Sequence, residues 1–81
     1  NPAEITKLIE AGFEDAVVQV MSGDNTHFEA VVVASEFEGQ RPIKRHQLVY
    51  STLGTLVGNE IHALSLRTFT PEEWRQQTAE S

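Results

Sequence analysis

Apolar residues recur along this chain in two rhythms, steps of three to four and strict alternation, and the changes of rhythm predict its elements. Ile5, Leu8 and Ile9 stand at helical spacing behind Asn1-Pro2-Ala3-Glu4. Asn suits an N-cap, Pro the first helical position, and Glu4 the third position of a capping box. With Gly12 as the stop, the spacing predicts a helix over residues 2–11. From Asp15 to Met21 the period falls to two, with Ala16, Val18 and Val20 on one face. Ser22-Gly23-Asp24-Asn25 breaks it, and a second β-rich run from His27 to Ala34 turns Phe28, Ala30 and Val32 to the same core. The pair reads as an antiparallel hairpin.

Ser35 to Pro42 keeps no period and carries Gly39 and Pro42, so a loop or single turn is expected. Ile43, His46, Val49, Tyr50, Leu53, Leu56 and Val57 then recur at helical steps and predict an amphipathic helix over residues 42–57. Gly54 inside it points to close packing at that turn, because an interior glycine costs a helix about 1 kcal/mol relative to alanine. Gly58-Asn59 ends it. Asn59 to Phe69 reads as a third strand, with His62 near its start and on one face with Leu64 and Leu66. Thr70-Pro71-Glu72-Glu73-Trp74 repeats the capping signature: Thr70 as N-cap, Glu73 at the third position, Trp74 as apolar anchor, and a tail expected to fray beyond Gln77. The simplest solution for helix, strand, strand, helix, strand, helix is an α+β fold: a three-stranded mixed sheet packed with helices. Phe28, Phe37, Tyr50 and Trp74 are expected in its core.

Eighty-one residues predict a single small domain over residues 1–81. A chain of this length buries only about 60% of its unfolded surface. No apolar run reaches the ~18 residues of a membrane span and no basic-then-apolar leader is visible, so a soluble cytoplasmic protein without a membrane partner is expected. Position 1 is Asn rather than Met, which leaves an organellar or stromal location open. Cysteine is absent, removing disulfides, thiolate catalysis and any cysteine-only metal cage. Metal chemistry must therefore run through His or carboxylate. A net charge of −6 argues against reliance on a polyanion, although three of the six cations, Arg41, Lys44 and Arg45, cluster.

Several short pieces, in order, carry a family resemblance: Ser22-Gly23-Asp24 with Thr26-His27-Phe28, Phe37-Glu38-Gly39, Lys44-Arg45-His46 with Val49-Tyr50, Ile61-His62-Ala63-Leu64, and Thr70-Pro71-Glu72-Glu73-Trp74. Together they resemble the BolA family, nearest to its IbaG-like branch. The resemblance implies an αββαβα fold related to the type II KH domain. It also implies a role as partner of a monothiol glutaredoxin in iron–sulfur trafficking, iron regulation and stress response. In that arrangement a [2Fe-2S] cluster is shared between the partners: the glutaredoxin and glutathione each give a thiolate, and the BolA-like chain gives the histidine of Ile-His-Ala-Leu, here His62. Imidazole in place of thiolate raises a cluster's potential. A chain without cysteine completes such a site only in company, so no cofactor is expected on the chain alone, which is read as a monomer or weak homodimer when cluster-free.

The family's second ligand, a Cys or His in the loop between the first two strands, is where this sequence departs: Asp24 stands near that place, and His27 matches a different histidine of the family. Asp24, His27, another group or water are the alternatives for the remaining ligand. His46 lies on the apolar stripe of the long helix, which favours a structural role. Arg41, Lys44 and Arg45, with His46 beside them, are candidates for contact with the partner or with nucleic acid; the alternative function is a DNA-binding transcriptional regulator. Against that, Gly39-Gln40-Arg41-Pro42 lacks the second glycine of a KH backbone clamp. A third reading holds the glutaredoxin in its apo form through the helix carrying Arg45. Catalysis is not expected: there is no phosphate loop and no two-histidine helical motif, and Ser22, Asp24 and His27 read as turn residues rather than a triad.

Overall fold

The computed structural model describes residues 1–58 and 63–79. Its elements follow the expected order: α1 (Pro2–Ala11), β1 (Val17–Met21), β2 (His27–Val33), a single 3-10 turn (Ser35–Phe37), α2 (Pro42–Leu53), a second 3-10 turn (Gly54–Leu56), β3 (Ala63–Phe69) and α3 (Pro71–Ala79). The sheet runs β1-β2-β3. β1 pairs antiparallel with β2, Val17 against Val33 and Met21 against Glu29, and β2 pairs parallel with β3, His27 against Ala63 and Val33 against Phe69. The sheet is therefore mixed, as expected, the parallel pair following from the crossover through α2. β1 begins at Val17, two residues after Asp15, and β2 ends at Val33, one before Ala34.

The core lies on one face of the sheet. Phe28 and Val32 of β2, flanked by half-buried Val18 and Val20 of β1 and Leu64 and Leu66 of β3, pack against Ile5 and Ile9 of α1, Phe37, and Val49 and Leu53 of α2. Phe13 meets Phe37 edge to face, with centroids 5.4 Å apart. Both helix starts expected from the sequence form. Asn1 Oδ1 accepts from the Glu4 N–H at 3.1 Å, and at α3 the box is reciprocal. There Thr70 Oγ1 accepts from Glu73 N–H at 3.1 Å, and Glu73 Oε1 accepts from Thr70 N–H at 2.8 Å. α3 continues to Ala79, past the expected fraying point, although it has no fully buried residue.

Three expectations for α2 are corrected. The helix stops at Leu53 rather than 57, because Gly54 turns the chain with φ 58° and ψ −128°. Among the described residues, chain neighbours aside, no atom lies within 4 Å of a Cβ built on Gly54, so that glycine serves the backbone and not close packing. The close approach is instead at Gly12, where a Cβ would sit 2.2 Å from Thr52 Cγ2 of α2. Finally, Ile43 is 69% exposed and Tyr50 37%, so neither joins the core. The hydrophobic repeat spans more turns than the small core can cover, and Val49 and Leu53, four apart, are the α2 residues it fully buries.

Candidate functional site

The tight turn from Ser22 to His27 joins β1 to β2 and is organised by two side chains. Ser22 Oγ accepts from the N–H groups of Asp24 (3.3 Å) and Asn25 (2.8 Å) and donates to the His27 carbonyl oxygen at 2.7 Å. Asp24 Oδ1 accepts from the N–H groups of Thr26 (3.0 Å) and His27 (2.9 Å). Asn25 takes the left-handed conformation, φ 61°, which Asn tolerates better than most residues. This is a side-chain-wired turn of the kind Ser and Asp favour.

The second Asp24 oxygen, Oδ2, lies 2.8 Å from His27 Nδ1, and Thr26 Oγ1 lies 3.1 Å from the same nitrogen. The backbone N–H of His27, then its ring, then the N–H of Thr26 hold the Asp24 carboxyl well below the usual carboxylate range. An ionised carboxylate can only accept, so Nδ1 carries the proton, and in the neutral ring Nε2 keeps its lone pair. The His27 side chain is 68% exposed and that of Asp24 55%. Ser22 does not reach the imidazole, so the hydroxyl–imidazole–carboxylate relay of a nucleophilic triad is not what this turn builds.

His62, the first candidate ligand in the sequence, lies outside the described residues. Ala63, the next residue in the chain, is described. It is the Cα partner of His27 across the parallel ladder, and its N–H donates to the Thr26 carbonyl oxygen at 3.4 Å. Among the described residues no group of three or more His, Cys, Asp or Glu side chains converges on a point that could hold a metal ion. What the turn does offer is one exposed imidazole, oriented by a carboxylate, with an open nitrogen. That is donor chemistry suited to a borderline transition metal such as the iron of a cluster.

The cationic candidates separate. Arg45 is turned inward: its side chain is 12% exposed, Nη1 meets Glu73 Oε1 at 2.7 Å, Nε donates to the Gln40 carbonyl oxygen at 2.9 Å, and the guanidinium lies 5.9 Å from the centre of the Phe37 ring. It ties α2 to α3 and holds the Glu73 carboxyl below its usual range, with the Thr70 N–H adding to the effect. Sequence reading assigned Glu73 to its capping box and missed this second role, because 28 residues separate it from Arg45. Arg41 and Lys44 are exposed at the start of α2, where no side chain caps the helix and no acid occupies the first turn. His46 is half-buried one turn further on. A shallow groove of about 380 Å³, lined by Arg45, Thr68, Phe69, Glu73, Gln76 and Gln77, lies at the far end of β3 from Ala63.

Comparisons with known proteins agree on one family. The family described as BolA-like protein matches over residues 6–73. An uncharacterized protein of the rpoN-murA intergenic region of Acinetobacter guillouiae is 40% identical over 77 residues, 94% of this chain and 92% of that protein. The DNA-binding transcriptional regulator BolA of Vibrio cholerae is 43% identical over 68 residues, 84% of this chain but only 64% of the regulator's length. Among solved structures, a bolA protein homologue from Coxiella burnetii superposes with a TM-score of 0.77 at 45% identity, covering 93% of this chain and 96% of that one.

Proposed function

This chain belongs to the BolA family, and from that premise we propose that it works as the partner of a monothiol glutaredoxin in iron–sulfur trafficking and iron regulation. Its part is to supply imidazole to a [2Fe-2S] cluster whose thiolates come from the glutaredoxin and glutathione. His62 is the assigned ligand, by its place in Ile61-His62-Ala63-Leu64. The observation that carries the proposal is the exposed His27 imidazole at the turn between β1 and β2, held through one ring nitrogen by Asp24. Ala63, the residue that follows His62 in the chain, is the Cα partner of His27 across the parallel ladder. Such a cluster supplies one-electron chemistry when bound, and imidazole ligation raises its potential relative to thiolate alone. The chain's own contribution is imidazole, and sulfur is left to the partner.

The test is reconstitution of the complex with glutaredoxin and glutathione, comparing the chain with its His62→Ala variant. A visible absorption spectrum altered in form and a cluster lost faster from the variant are expected; identical spectra and lifetimes would remove His62 from the site.

A second reading is supported by the uncapped, acid-free start of α2 with Arg41 and Lys44 exposed on it, and by the similarity to the DNA-binding transcriptional regulator of Vibrio cholerae. A helix N-terminus flanked by cations suits a phosphate. Direct DNA binding by this chain would use that end of the molecule.

A further inference from the structure

We propose that the free edge of β1 takes up an extended segment of another protein as an added strand, and that this segment carries Lys or Arg at both ends of an alternating apolar run. The sheet order leaves β1 paired to β2 alone. Among the described residues no backbone hydrogen bond outside that ladder reaches Val17–Met21, so along the outer edge the strand's N–H and C=O groups have no protein partner. Such an edge is a template for a further strand, and proteins usually blunt it with Lys, Pro or a bulge. β1 has none of these: it reads Val17-Val18-Gln19-Val20-Met21, and its register with β2 runs unbroken.

The side chains suit the same event. Val18 and Val20 turn toward the core, where they are half-buried. Val17 and Met21 stand on the opposite face, 56% and 58% exposed, with Gln19 between them. A neighbouring strand would cover both with apolar side chains at alternate positions while its backbone meets the open edge.

Charge decides what kind of segment fits. Between Lys7 and Arg41 the chain has seven acids and no Lys or Arg. Glu14 and Asp15 stand just before β1, Asp24 in the turn after it, and Glu29 across the ladder from Met21; all four are exposed. Among the described residues neither the Glu14 nor the Asp15 carboxylate has an ion-pair partner. A second copy of the chain fits poorly. Antiparallel pairing of two copies about Gln19 would match Val17 with Met21, but it would also set Glu14 beside Asp24, acid against acid. Nucleic acid is repelled for the same reason. A strand with cations at its ends meets opposite charge at both ends of β1, whichever way it runs.

The experiment titrates the full ¹⁵N-labelled chain with a blocked peptide of about nine residues, the length of the extended run from Asp15 to Gly23. The peptide has Lys at both ends and alternating Thr and Val between them; a second peptide has Glu at both ends, and a third carries Pro at its centre. With the first, amide shifts and slowed hydrogen exchange are expected along Val17–Met21, weakening as salt rises. The Glu-ended and Pro-centred peptides should leave those amides unchanged. Glu14→Gln with Asp15→Asn should weaken binding of the Lys-ended peptide about fivefold, the scale of two exposed ion pairs. Met21→Lys and, separately, Val17→Lys blunt the edge and should abolish the response, with the rest of the amide spectrum preserved. No response to the Lys-ended peptide at low salt, shifts centred on α2 or α3 instead of β1, or equal binding of the Lys-ended and Glu-ended peptides would overturn the proposal. So would slowed exchange along β1 that grows with the chain's own concentration before any peptide is added, since the edge would then belong to a second copy.

Discussion

At Gly54 the backbone adopts φ 58° and ψ −128°, and a Cβ there would meet nothing within 4 Å among the described residues beyond its chain neighbours; at Gly12 the backbone is ordinary, and a Cβ would lie 2.2 Å from Thr52 Cγ2. Each glycine therefore fails differently when replaced. Gly54→Ala should destabilise the fold by about 1–3 kcal/mol through backbone strain alone. Gly12→Ala should lose a similar amount, about 1–3 kcal/mol, through overpacking between α1 and α2. Thr52→Ser separates the two, since it deletes Cγ2 but keeps the hydroxyl that donates to the Val49 carbonyl oxygen. Urea unfolding is expected to show Thr52→Ser recovering most of the Gly12→Ala loss and none of the Gly54→Ala loss. Equal recovery in both would contradict the packing assignment. Sequence alone placed the stop of α1 correctly at Gly12 but assigned the close packing to Gly54 instead. A glycine inside a helical repeat and a glycine after one look alike until the neighbouring helix and the dihedral angles are known.

At the scale of elements, α3 is held by contacts that a carboxylate organises. It has no fully buried residue; Trp74 packs on Phe69 with centroids 5.1 Å apart, and Glu73 joins its capping box to Arg45 of α2. The Arg45 hydrogen bond, then the Thr70 N–H, hold the folded-state pKa of Glu73 below its ordinary value of 4.5. A depressed carboxylate adds stability that is fully present above that ordinary value and is lost as pH falls through the folded-state value. Because the Glu73 side chain is 47% exposed, screening keeps this contribution modest. Glu73→Ala is expected to lose about 1 kcal/mol at neutral pH, the scale of a lost cap. Glu73→Gln should flatten the acid side of the stability profile below about pH 4.5. Urea midpoints at neutral pH and near pH 3.5 check both, and an acid-side slope equal to wild type in Glu73→Gln would refute the linkage. The cap itself was legible, since Thr70-Pro71-Glu72-Glu73 is a local signal. The ion pair was not, since no local rule joins residues 45 and 73 before the sheet brings their helices together.

Over the whole molecule, element order and the mixed sheet were readable because the hydrophobic period changes from one element to the next and the crossover through α2 forces a parallel pair, although the helical repeat overruns the end of α2 at Leu53. The site was readable by residue type but not by arrangement. Nothing in the spacing of Asp24 and His27 says which of the two oxygens holds the ring and which the backbone, and Arg41, Lys44 and Arg45 look like one patch until Arg45 turns inward. That last point puts a number on the DNA reading. An acidic body of net charge −6 repels a polyanion at long range. The favourable contacts must come from Arg41 and Lys44, since Arg45 is committed to Glu73. Each phosphate neutralised on a duplex contributes about −0.9 to the slope of log K against log salt, so two contacts give a slope of about −1.8 and three would give about −2.7. Titrations of a short duplex at several salt concentrations should return the shallower value. Arg41→Gln with Lys44→Gln should bring the slope close to zero, while Arg45→Gln should leave it unchanged and lower stability instead. A steep slope that survives the double substitution would mean that the DNA contact, if this chain makes one, is built on some other surface than the start of α2.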